Sequence, residues 1–199
     1  LKGIVELDEA YVGGKPAHVP GVRHKRGKGT SKQWVLIAAE RNGPVRAEPI
    51  GSEKVVSMQP IVDKHLCKSA HLMSDKHRSY IKIGKQFAAH SHVNHSKREY
   101  CRGEAHSNTA ESFSSMLKRA RIGVFHYMSS AHLKRYLSEM EFRWENRVAE
   151  KKTDRSGKLK TVMKPIPIID MMVILIMRFS GYCLKRTPSW GIVDVAFNL

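Results

Sequence analysis

Acidic residues are scarce in this chain. Only 18 Asp and Glu stand against 35 Lys and Arg, a net charge of +17 with a pI near 10.0. A surplus of that size concerns partners rather than fold, and polyanions, nucleic acid first, are the natural ones. Cysteine is sparse too. Cys67, Cys101 and Cys183 are scattered, odd in number and without a C-x-x-C pair. That pattern argues against a disulfide framework and a cysteine zinc site, and suits a reducing cytosol. Long hydrophobic runs are missing. The most apolar stretch, Ile166 to Met177, carries Asp170 and is shorter than a membrane span requires, so a buried helix is expected there. No signal peptide opens the chain. It starts at Leu1 without Met and enters a strand-like run almost at once, as a fragment of something longer would.

What is present can build a real core: 41% of 199 residues are apolar, enough for one domain, or one with an appendage. Gly3 to Val12 reads as a strand ended by Gly13-Gly14. Residues 15 to 32 form a basic loop with no acid, holding Lys25, Arg26 and Lys28 among its cations. Gln33 to Glu40 is an apolar strand, and Asn42-Gly43-Pro44 turns into a third strand near Val45 to Ile50. An antiparallel meander is expected from the three. A helix from Ser52-Glu53 towards Cys67 follows, with Val56, Ile61 and Leu66 as core contacts and Pro60 as a kink or break. His71 to Ser74 is a short strand ending at Asp75. A brief helix near Arg78 to Gly84 and a strand near Phe87 to Val93 come next. Ser107 or Asn108 caps a helix from Thr109 to about Arg121. Another helix starts at Ser129-Ser130, with Leu133, Leu137, Met140 and Trp144 on one face. Residues 1–147 are thus expected as the main domain, 148–165 as a basic linker and 166–199 as a helical tail. The order describes an α/β, ribonuclease-H-like mixed sheet flanked by helices.

Three carboxylates stand out within this frame. Asp8 lies inside the first strand, where alternation puts Glu6 and Asp8 on one face, Leu7 and Glu9 on the other. Asp75 stands at a strand end, the place where open α/β sheets gather ligand sites. Glu111 lies in the first turn of a helix, and Lys118, seven residues on, returns to nearly the same side at about 100° per residue. Converging carboxylates repel one another unless a cation neutralises them. All-oxygen ligands suit Mg²⁺ or Mn²⁺, and paired ions roughly 3.5–4 Å apart can clamp an in-line phosphoryl transfer. Taken singly, each acid has a plainer reading: a strand end, a turn, and a helix N-terminus that favours an acid. Glu6 and Glu9 stand close enough to compete with Asp8.

The motifs around these acids carry a resemblance. V-E-L-D-E-A-Y-V-G-G-K from Val5, L-M-S-D-K-H-R-S-Y from Leu72 and H-S-N-T-A-E-S-F-S-S-M-L-K-R from His106 resemble the three catalytic segments of ISXO-like bacterial insertion-sequence transposases, in order. Between Asp75 and Glu111 lie 35 residues, a separation typical of DDE transposases and integrases. Leu133 to Arg147 is similar to the group's closing helix, so the likeness runs from Ile4 to about Arg147. It implies that Asp8, Asp75 and Glu111 hold Mg²⁺ or Mn²⁺, as two ions, for DNA cleavage at transposon ends and strand transfer into target DNA. It also implies Lys118 against DNA near the scissile end, and a homo-oligomer on DNA in the bacterial cytoplasm or nucleoid, with no membrane. The family's usual N-terminal zinc ribbon has no counterpart here, and residues beyond about Glu150 match nothing.

Further DNA contacts are expected from Arg119, Arg121, Lys25, Arg26, Lys28 and His106, the last as an active-site neighbour or a simple loop histidine. His90-x-His92-x-x-His95 could form a zinc cluster, but lacks neighbouring Cys or acid ligands; a DNA-facing edge is the simpler reading. Neither a Walker-type loop nor a partnered Ser or Cys nucleophile is present. Two other functions remain open: a non-catalytic basic DNA-binding protein derived from a transposase, and a same-fold nuclease that cuts without joining.

Overall fold

A computed structural model describes residues 1–14, 20–21, 23, 30, 32–93, 106–154, 157–179, 182–186 and 192–196. They fall into two compact units, Leu1–Glu145 and Asn146–Leu199.

The first unit is α/β. Strands β1 (Ile4–Val12), β2 (Gln33–Glu40) and β3 (Val45–Ile50) form the expected antiparallel meander. At the β2–β3 turn Asn42 takes the left-handed conformation, φ 57°, and Glu40 N–H donates to Pro44 O at 3.0 Å. Helix α1 (Val55–His65) crosses to β4 (His71–Asp75), which pairs with β1 in parallel; helix α2 (Arg78–Gly84) leads to β5 (Ala89–Val93), parallel to β4. The sheet order is β3-β2-β1-β4-β5. Helices α3 (Asn108–Ala120) and α4 (Leu133–Glu145) complete the unit. The arrangement is a ribonuclease-H-like mixed sheet flanked by helices.

Period-2 alternation divides the core into two layers. Ala10, Val12, Val35, Ile37 and Ala39 pack with Ala110, Phe113 and Leu117 of α3 and with Leu137 and Trp144 of α4. Val5, Leu7, Leu36 and Ala38 pack with Met58 and Val62 of α1 and Tyr80 and Ile83 of α2. Each fully buried Leu, Ile or Phe contributes about 1.5–3 kcal/mol to holding a layer. The α4 face of Leu133, Leu137, Met140 and Trp144 is buried as expected. Of the expected α1 contacts, Leu66 is buried and Ile61 packs against the core, but Val56 does not. Met58 and Val62 are buried, whereas Val56 is 84% exposed, because the buried row recurs at four-residue steps through Leu66 and Val56 falls outside it. Pro60 neither ends nor divides α1.

In the second unit, β6 (Arg147–Thr153) and β7 (Leu159–Pro165) form an antiparallel ribbon, so the stretch expected as a linker is a paired hairpin. Helix α5 (Ile168–Phe179) and a second antiparallel pair, β8 (Tyr182–Arg186) with β9 (Ile192–Ala196), follow it. The helix expected from Ile166 is thus present, and a strand pair follows it. Helix α5 is not buried: Ile168, Ile169, Ile176 and Met177 are 65–74% exposed. Among the described side chains from 146 to 178 none is buried, so none of them covers the helix with an apolar layer. No helix of the described residues is long and apolar enough to cross a membrane.

Candidate active site

The acidic run of β1 divides its three carboxylates among different tasks. Glu6 is fully buried. Its carboxylate accepts from Arg41 Nε at 2.7 Å, Thr109 N at 2.6 Å, Ala110 N at 3.1 Å and Thr109 Oγ1 at 3.1 Å. A buried carboxylate needs such charge-assisted partners to offset its desolvation. It also caps α3 in place of Ser107 or Asn108, taking first-turn amides that a local cap would take. Ser107 occupies the cap position but makes no side-chain cap bond; its Oγ donates to Glu111 Oε1 at 2.9 Å instead. Glu9 projects to the other face, where it accepts from the buried Tyr80 hydroxyl at 2.5 Å. Glu6 and Glu9, the two acids close enough to compete with Asp8, are thus each engaged by partners of their own.

Asp8 faces the α3 side and is half-buried. Burial, then the Glu9 charge, and further down Glu111, push its carboxyl up to about 7; a backbone N–H at Glu9 and the Lys118 ammonium oppose the rise. Asp8 therefore senses both Glu111 and Lys118, as the helix spacing anticipates. Both lie on the exposed side of α3, opposite its buried Ala110, Phe113 and Leu117.

Asp75 ends β4. The parallel register pairs Leu7 with Ser74, so Asp8 and Asp75 follow on neighbouring strands, and alternation puts both on the face shared by Glu6 and Met73. Asp75 Oδ1 accepts from Lys76 N at 2.5 Å. Beneath it, Ser74 is buried and its Oγ donates to Asp75 O at 3.0 Å while lying 2.9 Å from His90 Nε2. The His90 ring packs so closely under α2 that a Cβ at Gly84 would lie 2.1 Å from Nδ1. Only glycine fits there.

The family model of the ISXO2-like transposase domain matches residues 1–145, which is the extent of the first compact unit. The chain belongs to the ISXO2-like transposase family. A search of curated proteins gave no match. The function is thus of the transposase type, and DNA is the substrate that this family implies.

In this transposase domain the acids fit a cation in donor chemistry and in charge. All are oxygen donors, and Asp8 is a desolvated carboxyl raised in part by its acidic neighbours. As they stand they do not close on one point: among the described residues, no three His, Cys, Asp or Glu side chains are grouped to hold a metal. Asp75 is turned to its neighbour's amide and Glu111 to Ser107. Arg119 is exposed beside Lys118, and Arg121 opens a π-helical turn, Arg121–Phe125, that prolongs α3. His106 packs inward, its Nδ1 3.3 Å from Glu6 Oε1 but without a hydrogen bond, and its carbonyl accepts from Arg41. His90 and His92 share a strand face, with ring centroids 5.8 Å apart. His95, Lys25, Arg26 and Lys28 lie outside the described residues. Sequence reasoning missed the Glu6–Arg41–Thr109 connection and the Tyr80–Glu9 bond; an acid buried inside an apolar strand was the only signal for either.

Proposed function

We propose that the chain is a DDE transposase that cuts transposon ends and joins the freed 3′-hydroxyl to target DNA, with Asp8, Asp75 and Glu111 as its metal-holding carboxylates. The observation that carries the reading is the state of Asp8. It is the one acid of β1 left without a side-chain partner, desolvated, and under the influence of Glu111 and Lys118. Divalent Mg²⁺ or Mn²⁺, as a pair, would supply Lewis acidity to the attacking and leaving oxygens when bound. The chain's own residues do the rest. Glu6 fixes β1 against the start of α3, which sets Asp8 and Glu111 on rigid elements. Lys118 presents a cation beside Asp8 for a phosphate near the scissile bond. Arg119, Arg121 and the basic segment holding Lys25, Arg26 and Lys28 extend that contact along DNA, and His106 supports it from behind Glu6. A homo-oligomer on DNA, within the bacterial cytoplasm or nucleoid, completes the reading.

The test is a labelled-end assay with Mg²⁺, scored for nicks and for joined products. Asp8→Asn, Asp75→Asn and Glu111→Gln are each expected to abolish both products and to leave DNA binding in place. A fully active Asp75→Asn protein would overturn the assignment. Nicks without joined products would mark a nuclease, and neither product from the unaltered protein would mark a non-catalytic DNA-binding protein.

A further inference from the structure

The β6–β7 ribbon is paired along its whole length, yet all but two of its residues are exposed and none is buried. The register places Lys152 directly opposite Lys160. Like charges in that position destabilise a ladder, and a lone two-stranded hairpin is marginal in water to begin with. Among the described residues, the ribbon's strands hold one ion pair, Lys164 with Glu150 at 2.5 Å, towards the open end. Near the turn, Lys151, Lys152, Lys158 and Lys160 have no ion-pair partner among the described residues. Asp154, the nearby carboxylate, helps to close the turn: its Oδ1 accepts from Lys158 N at 3.1 Å, next to Gly157 at φ 81°. The base of the turn is thus held while the lysines beside it are left mutually repelling.

We infer that the β6–β7 ribbon is a DNA-gripping element that enters the major groove of a duplex, with Lys152, Lys158 and Lys160 against the phosphates. The charge pattern that weakens the ribbon alone is relieved by a polyanion. Dimensions favour duplex DNA. Strands lie about 4.8 Å apart and seven residues extend about 23 Å, while a major groove about 12 Å wide admits a two-stranded ribbon. Lysines on both strands can reach the phosphates on both walls of such a groove. The ribbon lies outside the residues matched by the family model, and its action does not depend on the carboxylates of the candidate active site.

The experiment uses the whole chain, a labelled duplex and EDTA, so that metal-dependent chemistry plays no part. Lys152→Gln with Lys160→Gln should lower the slope of log affinity against log salt by about 1.8, about 0.9 for each lost phosphate contact. Lys152→Glu is the sharper arm. It replaces a repulsion by a cross-strand ion pair, so ribbon amides should exchange with solvent no faster while DNA affinity falls. Unchanged affinity and slope in both variants would overturn the proposal. So would a ribbon-dependent loss seen only with single-stranded RNA or with an acidic polypeptide as competitor and ligand. Either failure leaves the cleavage assay above, and the reading it tests, untouched.

Discussion

The Glu6 carboxylate accepts the Thr109 N–H at 2.6 Å across 103 residues of sequence. Asp8 lies two residues beyond one partner and Glu111 two beyond the other, so this bond ties together the elements that carry both acids. Glu6→Ala should destabilise the fold by about 3 kcal/mol, since it leaves the Arg41 guanidinium without its buried partner and removes a helix cap. Urea denaturation measures the loss. Glu6→Gln retains acceptor capacity and should fold better than the alanine variant, yet still cleave more slowly. Equal stability of all three proteins would show that the tie is dispensable.

Asp8 gives a pH signature in metal-free protein. Its folded pKa of about 7 lies above the ordinary 3.8, so the folded state holds the proton more tightly than the unfolded one. The group costs nothing below about pH 4, and its cost grows until about pH 7, where it is complete. Asp8→Asn should therefore melt higher than the unaltered chain at about pH 8 and alike at about pH 4. Mg²⁺ should raise the melting temperature of the unaltered chain at the higher pH and fail to do so for the variant. Identical melting profiles would argue against Asp8 as a desolvated ligand.

Gly84→Ala puts a methyl group where the His90 ring stands, 2.1 Å from Nδ1. Overpacking of this kind costs about 1–3 kcal/mol. Removing the ring as well should recover most of that, so Gly84→Ala with His90→Ala is expected to be less destabilised than the two single effects added together. Strict additivity in a double-mutant cycle would contradict the packing.

His90 titrates in the opposite sense to Asp8. Desolvation, then His92 and His71, hold its pKa below the ordinary 6.5. Above that value it is neutral in both states and contributes no pH dependence. As pH falls through it, the unfolded chain takes up the proton first and stability is lost. His90→Gln should thus reduce the decline in melting temperature below about pH 6.5, with little change above it.

Much of this was legible from local pattern. The meander followed from apolar alternation and from Asn42-Gly43, whose conformation is a matter of neighbouring atoms. That Glu111 and Lys118 share the exposed side of α3 and both act on Asp8 followed from helical spacing. The role of Glu6 was hidden because its partners are contributed by Arg41 and by a helix start far along the chain. The β6–β7 ribbon resembled a linker because both of its faces are polar or mixed, so no buried side imposes an alternation to read. Helix α5 showed its apolar character plainly, but burial depends on what other elements bring to it. Val56 was misplaced because the phase of a short helix rests on where it begins.

β1 carries Glu6, Asp8 and Glu9 to two different faces, and its eight-rung pairing with β2 fixes which acid meets which neighbour. A shift by one residue would exchange every face: Asp8 would turn towards Tyr80, and Glu9 towards α3. The chain can thus vary in length between Val12 and Gln33 without disturbing this assignment, whereas one residue inserted between Glu6 and Glu9 would scramble it. Natural variants of this domain should accordingly show insertions and deletions in the first interval and none in the second.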